Sequence, residues 1–311
     1  MKRVHSLSAL AMLALAATAA ASQSANESES SGEPKIYIED VERFYEIYEA
    51  SGGRPTAGQL QRDYLDAGSE GLHQFARIRN ITGERIAQTL SQRPEIYANA
   101  RRCMEVLPRV RERVRGALQT LKDLYPDARF PPVTIAVSRG KPVAAGSPVT
   151  GIQVGLEALC STDWLHPNVE DRFVLVIVHE YVHVQQNPAI TEKEQPTVLE
   201  AALVEGAAEF VTELLAGEIS YSYLPRSVQG REKVIEASFV EDLHETDLSR
   251  WLFNSTPEKP GDLGYWVGYR IVKAYYRHAA DKQQALREIL EMSDANAFFG
   301  KSGWQPGIAL K

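Results

Sequence analysis

The chain has 311 residues, a formal net charge of −7 and a hydrophobic content of 44%. This acidic balance argues against nucleic acid and against an anionic membrane surface as partners, because both repel a negatively charged protein. The length is sufficient for one large domain or two small ones, each with a sizeable core.

The first 34 residues predict export. Residues 2 and 3 are basic, and residues 7–21 are apolar, rich in Ala and Leu, and end in small side chains. This pattern is typical of a secretory signal peptide over residues 1–21, cleaved near Ala21; a membrane anchor is the alternative, but the stretch is short for a span. Polar residues 22–34 predict a flexible tether. We expect a periplasmic or secreted protein without a stable membrane anchor.

Export bears on the two cysteines of the chain, Cys103 and Cys160. An oxidising compartment permits one disulfide between them, and two separate buried thiols are the alternative.

Residues 36–125 have the apolar spacing of helices, interrupted at glycines and at Pro94. The last helix of this part, residues 108–124, has a row of basic side chains. We interpret the row as a solvated helix face rather than a site for a polyanion. The row consists of Arg109, Arg111, Arg113 and Arg115.

Two strands are expected next. Residues 131–137 are short, β-branched and preceded by prolines, which indicates a strand. After a loop rich in Gly and Pro through residues 146–148, residues 150–156 predict a second strand. Its glycines are compatible with an edge strand, to which an extended peptide could add by backbone hydrogen bonds. An edge strand that binds nothing is the alternative.

The next helix contains a metal-binding motif. Residues 174–183 read Val-Leu-Val-Ile-Val-His-Glu-Tyr-Val-His, with Asn168 as the expected N-cap and Asn187-Pro188 as the stop. His179 and His183 are four residues apart, so both rings lie on one helix face and can bind one ion. Glu180 is placed beside them to act on a metal-bound water. The motif can arise by chance, but imidazoles and carboxylates seldom follow so apolar a run without a partner.

A catalytic zinc ion usually has a third protein ligand. The following helix, expected from Pro196 to Gly217, has glutamates at positions 200, 205, 209 and 213. We predict Glu205 as the ligand, because Gly206 and two alanines leave little bulk around it and let this helix approach the first closely. Glu209, one turn on, is predicted to accept the free N–H of a ligand histidine. We expect Glu200 and Glu213 to lie on a solvated face.

Three further histidines, His166, His244 and His278, are candidate ligands from a distance, although surface or core positions are more typical. The three-histidine pattern His-Glu-x-x-His-x-x-Gly-x-x-His is absent, because no histidine stands six residues after His183.

With His-Glu-x-x-His on one helix and a glutamate on the next, the sequence resembles a gluzincin metallopeptidase. More narrowly, it resembles a bacterial family of predicted zinc-dependent proteases that is catalogued as a domain of unknown function. The resemblance covers most of the chain after the tether. Its segments are residues 64–69, 125–128, 155–157, 179–183, 205–209 and 264–270.

The resemblance implies that His179, His183 and Glu205 bind one zinc ion and that Glu180 is catalytic. It also implies a zincin-like fold. We therefore expect an α+β, predominantly helical domain over residues 35–311, with a small sheet whose edge strand packs on the motif helix. Its parts are a helical segment 35–128, the sheet and active-site helices 129–217, and a helical segment 218–311.

The predicted function is zinc-dependent hydrolysis of peptide bonds in a peptide or protein substrate, through a metal-bound water activated by Glu180. Tyr265 and Tyr269, one turn apart near the start of a later helix, are candidates to stabilise the oxyanion, with core packing as the alternative for each. A non-catalytic zinc-bearing scaffold and a hydrolase of non-peptide amides or esters are the rival functions. The Gly-x-Met-Glu-Asn signature of one aminopeptidase branch is absent, which argues against amino-terminal trimming. The sequence leaves the oligomeric state open.

Overall fold

The computed structural model describes residues 35–141, 143–147, 149–256, 259 and 261–310. The predicted signal peptide, residues 1–21, and the predicted tether, residues 22–34, lie outside this part of the chain. No helix within the described ranges has the length and apolar character needed to cross a membrane. Helices predominate and surround a small mixed sheet, which confirms the predicted α+β fold class.

The N-terminal part is helical, as predicted, apart from its first residues. Ile36–Tyr37 form a strand, β1, where a helix was expected, because their main chain pairs in parallel with Val133 and Thr134. Local periodicity cannot indicate a pairing so distant in sequence. The helices are α1 (Glu39–Ala50), α2 (Ala57–Gln59), α3 (Glu70–Arg79), α4 (Gly83–Gln92), α5 (Pro94–Ala100) and α6 (Leu107–Leu124), with a π-helical turn at Leu60–Leu65 and a 3₁₀ segment at Arg101–Val106.

Three of the four arginines in the basic row on α6 have partners within the protein. Arg109 and Arg113 both pair with Glu170, at the first turn of the motif helix. Arg111 donates a hydrogen bond to the carbonyl oxygen of Ile36 at 3.0 Å. These contacts join the N-terminal helices to the motif helix and to β1, and they argue against a polyanion site.

The sheet in the described residues has four strands in the order β1–β2–β4–β3. The remaining strands are β2 (Val133–Ala136), β3 (Ala144–Ser147) and β4 (Gly151–Gly155). β2 lies between β1 and β4 and is parallel to both, while β3 pairs antiparallel with β4.

The edge strand is β3, and its position corrects the sequence prediction. The strand expected at residues 150–156 exists as β4, but it is paired on both sides and is not an edge. β3 occupies the segment expected to be a loop. The sequence did not indicate a strand there, because the small residues of this segment show no apolar alternation. The edge strand does pack on the motif helix, as the predicted fold requires.

The motif helix, α8 (Val169–Gln185), is buried on nearly all sides. Asn168 caps it, since its side chain accepts hydrogen bonds from the N–H groups of Glu170 and Asp171. Its β-branched residues favour a strand by propensity, but burial between the sheet and another long helix stabilises the helix instead. The short helices α7 (Leu156–Cys160) and α9 (Pro188–Thr191) precede and follow it.

The next long helix, α10 (Val198–Ala216), begins slightly later than predicted. Pro196 was expected in its first turn, but the helix starts at Val198. Thr197 is the N-cap and forms a capping box with Glu200. Glu200 also pairs with Lys193 at 2.7 Å, so it is not a freely solvated side chain. Gly217 ends the helix with a left-handed φ of 91°, as expected for a glycine stop.

α10 packs closely on a C-terminal helix, α13 (Leu263–His278). A Cβ added to Gly206 would lie 2.1 Å from the backbone of Gly268, and one added to Gly268 would lie 1.7 Å from the carbonyl oxygen of Ala202. Gly206 was expected to bring α10 towards the motif helix, whereas it permits contact with α13. The other C-terminal elements are α11 (Leu224–Val228), α12 (Glu232–Glu241), a 3₁₀ turn at Leu248–Arg250, α14 (Lys282–Leu290) and α15 (Ala295–Lys301).

Cys103 and Cys160 form a disulfide. The bond links the 3₁₀ segment before α6 to α7, immediately after the sheet, and so connects the N-terminal helical part to the layer that supports α8. Of the two alternatives from the sequence, the structure has the disulfide.

Candidate metal centre

Two histidine rings of α8 converge on one point. His179 and His183 are buried, their Nε2 atoms are 3.0 Å apart, and their ring centroids are 4.7 Å apart. The buried, apolar first half of the helix fixes its rotation, so both rings face a cavity bounded by β3, α8, α10 and α13.

Glu205 approaches the same point from α10. Its Oε2 atom is 3.4 Å from Nε2 of His179 and 3.3 Å from Nε2 of His183. A tetrahedral zinc ion with bonds of about 2.0–2.1 Å separates its ligand atoms by roughly 3.3 Å. The three atoms therefore fit a zinc ion, and two histidines with one glutamate are a donor set of catalytic zinc sites, which keep one position for water or substrate.

The outer nitrogen of His179 is held by Glu209, as the sequence predicted for one of the two rings. Nδ1 of His179 lies 2.9 Å from Oε1 of Glu209, whose side chain is fully buried. Ser220 fixes that carboxylate in turn, through its N–H at 2.8 Å and its hydroxyl group. With Nδ1 donating to Glu209, the lone pair of Nε2 faces Glu205 and the cavity.

The outer nitrogen of His183 is held by Gln186, which the sequence reasoning missed. Nδ1 of His183 lies 2.7 Å from Oε1 of Gln186, and the amide nitrogen of Gln186 donates to the carbonyl oxygen of Val204 at 2.7 Å. Gln186 stands just past the end of α8, three residues after His183. The three-residue spacing could have indicated this contact from the sequence, because residues three apart at a helix end share a face.

The protonation equilibria show that the centre attracts positive charge. Burial lowers the pKa of His179, but hydrogen bonds to Glu205 and Glu209 outweigh burial and raise it to about 10. For His183, attraction to Glu205 likewise outweighs burial and raises the pKa. Burial raises the pKa of Glu205, while both histidines lower it, and the net result is a pKa well below the usual range. A cation is thus stabilised among these side chains.

Glu180 lies beside the cluster and takes no part in it. Its side chain lines the cavity and abuts β3 so closely that a Cβ added to Gly146 would lie 2.8 Å from its Oε2 atom. Burial raises the pKa of Glu180 and outweighs the opposing attraction to His183 and His179. A carboxylate with a raised pKa is suited to accept and return a proton near neutral pH.

Two tyrosines from the C-terminal part of the chain also line the cavity. Tyr265, a predicted candidate, lines the cavity with its ring nearly parallel to that of His179, at a centroid distance of 6.4 Å. Tyr221, which the sequence reasoning missed, also lines the cavity and stacks on Tyr265 at 4.5 Å. Burial raises the pKa of both hydroxyl groups, so both keep their protons at neutral pH.

Tyr269 is not in this cavity, although it was predicted together with Tyr265. Its hydroxyl group donates to Glu213 at 3.0 Å and accepts from Lys273, and its ring stacks on Trp266 at 5.5 Å. One helical turn separates the two tyrosines, but the rotation between them directs Tyr269 along the α10–α13 contact. Glu213, expected on a solvated face, is the partly buried partner of Lys273.

The three other candidate histidines lie outside the cavity lining. His166 contacts Asn168 and Glu218 near the start of α8. His278 is at the end of α13, where its Nδ1 atom is 3.4 Å from the carbonyl oxygen of Ser302. His244 is exposed, after the end of α12. The structure thus brings two histidines and Glu205 together and leaves these three apart.

The cavity has a volume of about 430 Å³ and is lined by both polar and apolar side chains. β3 forms one wall, with Ala144, Ala145, Gly146 and Ser147 all in contact with the open space. The arrangement therefore combines a candidate metal centre, a buried carboxylate and a sheet edge within one cleft.

Comparison with known proteins supports this interpretation. Residues 163–297 match a family model described as "Predicted Zn-dependent protease (DUF2268)". No curated protein and no solved structure matches the chain. The matched segment contains α8, α10 and α13, and with them both histidines, Glu180 and Glu205. The resemblance inferred from the sequence is confirmed over this segment, where the chain matches a family of predicted Zn-dependent proteases.

Proposed function

We propose that the protein is an exported, zinc-dependent peptidase. The main support is one geometric observation: the donor atoms of His179, His183 and Glu205 lie 3.0–3.4 Å apart, and the carboxylate of Glu180 lies beside them without joining them. A structural zinc site needs no such neighbouring base and is closed by four protein ligands.

Glu180 has the role of general base and then general acid in this proposal. When bound, zinc would supply Lewis acidity, which acidifies water and polarises a substrate carbonyl. Glu180 accepts a proton from the attacking water at a carboxylate oxygen and returns it to the leaving amine nitrogen. Its buried position and raised pKa suit both transfers.

In this proposal, Tyr265 and Tyr221 donate hydrogen bonds to the oxygen on which negative charge develops. Both remain protonated at neutral pH and line the cavity. A hydroxyl group aimed at the carbonyl oxygen stabilises the tetrahedral intermediate more than the planar substrate. We assign this role to the pair, and Tyr269 is excluded by its contacts with Glu213 and Lys273.

The substrate lies along β3. This strand pairs with β4 on one side only, and its residues line the cavity. An extended peptide can add to such an edge through main-chain hydrogen bonds. Because β3 abuts Glu180 at Gly146, a peptide bound there has its backbone beside the general base.

Export is supported by the Cys103–Cys160 disulfide together with the N-terminal sequence pattern. Disulfides persist in oxidising compartments and are rare in the bacterial cytosol. We propose a periplasmic or secreted location on these grounds.

The decisive experiment compares the zinc-loaded wild type with Glu180→Gln. A proteome-derived peptide library is incubated with each protein, and zinc is measured in both. We expect one zinc per chain in both proteins and cleavage by the wild type alone, because the amide cannot accept the proton. Glu205→Ala serves as the metal-site variant and should lose zinc.

Other outcomes select a rival function. Full cleavage by zinc-loaded Glu180→Gln would refute the assigned role of Glu180. Zinc in both proteins without any cleavage would favour a zinc-bearing scaffold or a hydrolase of non-peptide amides, which amide and ester substrates then distinguish. Undiminished zinc in Glu205→Ala would refute the ligand assignment.

A further inference from the structure

Phe253 has an unusual combination of backbone conformation and exposure. Its φ angle is 59°, in the left-handed region that bulky side chains rarely adopt, and its side chain is 66% exposed. Neither feature stabilises the folded protein. A strained residue that presents an aromatic ring to solvent suggests a function at that position.

Specific contacts hold the backbone around Phe253 in this conformation. Trp251 and Leu252, just before it, are buried. Asn254, just after it, exchanges two hydrogen bonds with Asp262: the N–H of Asn254 donates to Oδ1 of Asp262 at 2.8 Å, and the N–H of Asp262 donates to Oδ1 of Asn254 at 2.7 Å. The loop is therefore built to keep the Phe253 ring outside the core.

The ring lies at the cleft that contains the metal centre. Phe253 lines the cavity and meets Tyr265 edge to face, with a centroid distance of 6.1 Å and an interplanar angle of 89°. Tyr265 in turn stands beside His179 at 6.4 Å. One aromatic ring therefore separates Phe253 from the centre. An extended chain rises about 3.3 Å per residue, so about four residues span the distance from the Phe253 ring through Tyr265 to His179.

We propose that Phe253 forms the wall of an apolar subsite that binds a large aliphatic or aromatic side chain of the substrate, within about four residues of the scissile bond. The proposal rests on the proposed peptidase function and names its substrate class. An exposed aromatic face gains contact when an apolar side chain covers it. Leu165, Val143 and Val204 also line the cleft, which therefore offers apolar surface beyond Phe253 itself.

The test compares Phe253→Ala and Phe253→Gly with wild type. Both variants remove the ring, but only glycine relieves the left-handed backbone. Val234→Ala is the matched control, because Val234 is 73% exposed and lies outside the cavity lining. Cleavage sites in a proteome-derived peptide library are determined for each protein, together with its melting temperature.

We expect wild-type cleavage sites to be enriched in Phe, Tyr, Leu or Ile at one position, and both Phe253 variants to lose that enrichment. On a peptide with Phe at that position, kcat/KM should fall by about tenfold or more in both variants, and by less than about threefold when Ser replaces Phe. The melting temperature of Phe253→Gly should equal or exceed that of Phe253→Ala. Persistence of the enrichment in both variants, or its equal loss in Val234→Ala, would overturn the proposal.

Binding separates this proposal from the peptidase function. Labelled Phe and Ser peptides are titrated against zinc-loaded Glu180→Gln with and without the Phe253 changes, and fluorescence anisotropy gives Kd. A preference for the Phe peptide that disappears with Phe253 supports the subsite even if the wild type cleaves nothing, in which case only the proposed function fails. Equal affinity for both peptides in the presence of Phe253 would contradict the subsite.

Discussion

At the scale of single residues, the candidate centre depends on side chains that never meet a substrate. Glu209 and Gln186 each hold the Nδ1 atom of one histidine, at 2.9 and 2.7 Å. These contacts fix the tautomer and the ring orientation, so that both Nε2 atoms face Glu205. Partners of this kind orient the ligands and raise their basicity, so their loss weakens metal binding.

Gln186→Ala should weaken zinc binding by about 10- to 100-fold, because the ring of His183 loses the acceptor that orients it. Zinc affinity is measured by competition with a chromophoric chelator at fixed pH. The adjacent Gln185 provides the matched control. It is equally buried, but its amide bonds to the main chain of Arg129 and Tyr181 rather than to a histidine.

Gln185→Ala should cost about 1–3 kcal/mol of unfolding free energy, because it leaves main-chain groups without their partner. It should leave zinc affinity within about threefold of wild type, since no ligand contact changes. Equal losses of zinc affinity in the two variants would show that Gln186 acts through general stability and not through His183.

Helical geometry and the zinc motif predicted the cluster of His179, His183 and Glu205, with Glu209 one turn on, because each of these residues lies on a long helix. Helical geometry could not distinguish Tyr265 from Tyr269. The two residues are one turn apart on the same helix, and their different surroundings depend on tertiary contacts. Tyr221 and Ser220 lie between helices, where no periodicity applies. Their positions follow from tertiary contacts with Tyr265 and Glu209.

At the scale of elements, the contact between β3 and α8 depends on Gly146. A Cβ at this position would lie 2.6 Å from the carbonyl oxygen of Glu180 and 2.9 Å from its Cβ. The strand can lie beside Glu180 only without a side chain here. The same small residues that permit this contact also concealed β3 from sequence analysis.

Gly146→Ala should therefore lower peptidase activity by about tenfold or more, since a displacement near 1 Å at a catalytic group has effects of this size or larger. Overpacking should also cost about 1–3 kcal/mol of unfolding free energy. Steady-state kinetics and urea unfolding measure the two effects. Gly116→Ala is the control, because Gly116 lies in α6 with open space around it and should be neutral or stabilising.

Zinc content shows whether Gly146→Ala loses activity through displacement of Glu180 or through loss of the metal. We expect zinc content to remain stoichiometric, because the three atoms nearest to a Cβ at Gly146 all belong to Glu180 and none belongs to His179, His183 or Glu205. Wild-type activity in this variant would show that the β3–α8 contact is not needed for positioning the base.

Among the C-terminal helices, Glu288 on α14 connects α13 and α15 and makes stability depend on pH. Hydrogen bonds from Lys301 and Tyr275 lower the pKa of Glu288 to about 2. A carboxylate with a lowered folded-state pKa stabilises the protein above its unfolded-state pKa of about 4.3 and loses that effect as pH falls towards 2. The side chain is 31% exposed, so the contribution is about 1 kcal/mol or less.

The free-energy difference between wild type and Glu288→Gln should consequently be largest near pH 6 and shrink as pH falls to 3. Urea unfolding at the two pH values measures it. A Glu288→Gln difference that is constant between pH 6 and 3 would contradict this role.

At the scale of the whole molecule, the sequence predicted the fold class and the long helices, because α8 and α10 have side-chain N-caps and α8 contains the metal-binding motif. It missed β1 and β3, which are two and four residues long and exist through pairing with β2 and β4. It also predicted the wrong neighbour for Gly206. Such errors concern contacts between distant segments, which no local pattern specifies.

The disulfide is one such distant contact, and its effect on the whole chain can be measured. Cys103 and Cys160 are separated by 57 residues and connect the N-terminal helices to the layer beneath α8. Closing a loop of this size restricts the unfolded chain and stabilises the folded state by about 4 kcal/mol in the chain-entropy treatment. Urea unfolding of the double variant Cys103→Ala/Cys160→Ala should show a loss of this order.

Reduction of the wild type with dithiothreitol tests the same bond without a substitution. Dithiothreitol should lower the stability of the wild type to near that of the double variant and should leave the double variant unchanged, because only the wild type has a bond to reduce. Zinc content measured without dithiothreitol and below the unfolding transition should be the same in both proteins, since neither cysteine is in the metal centre. A wild type insensitive to reductant at every urea concentration, with free thiols present beforehand, would show that the bond does not form and would remove its support for export.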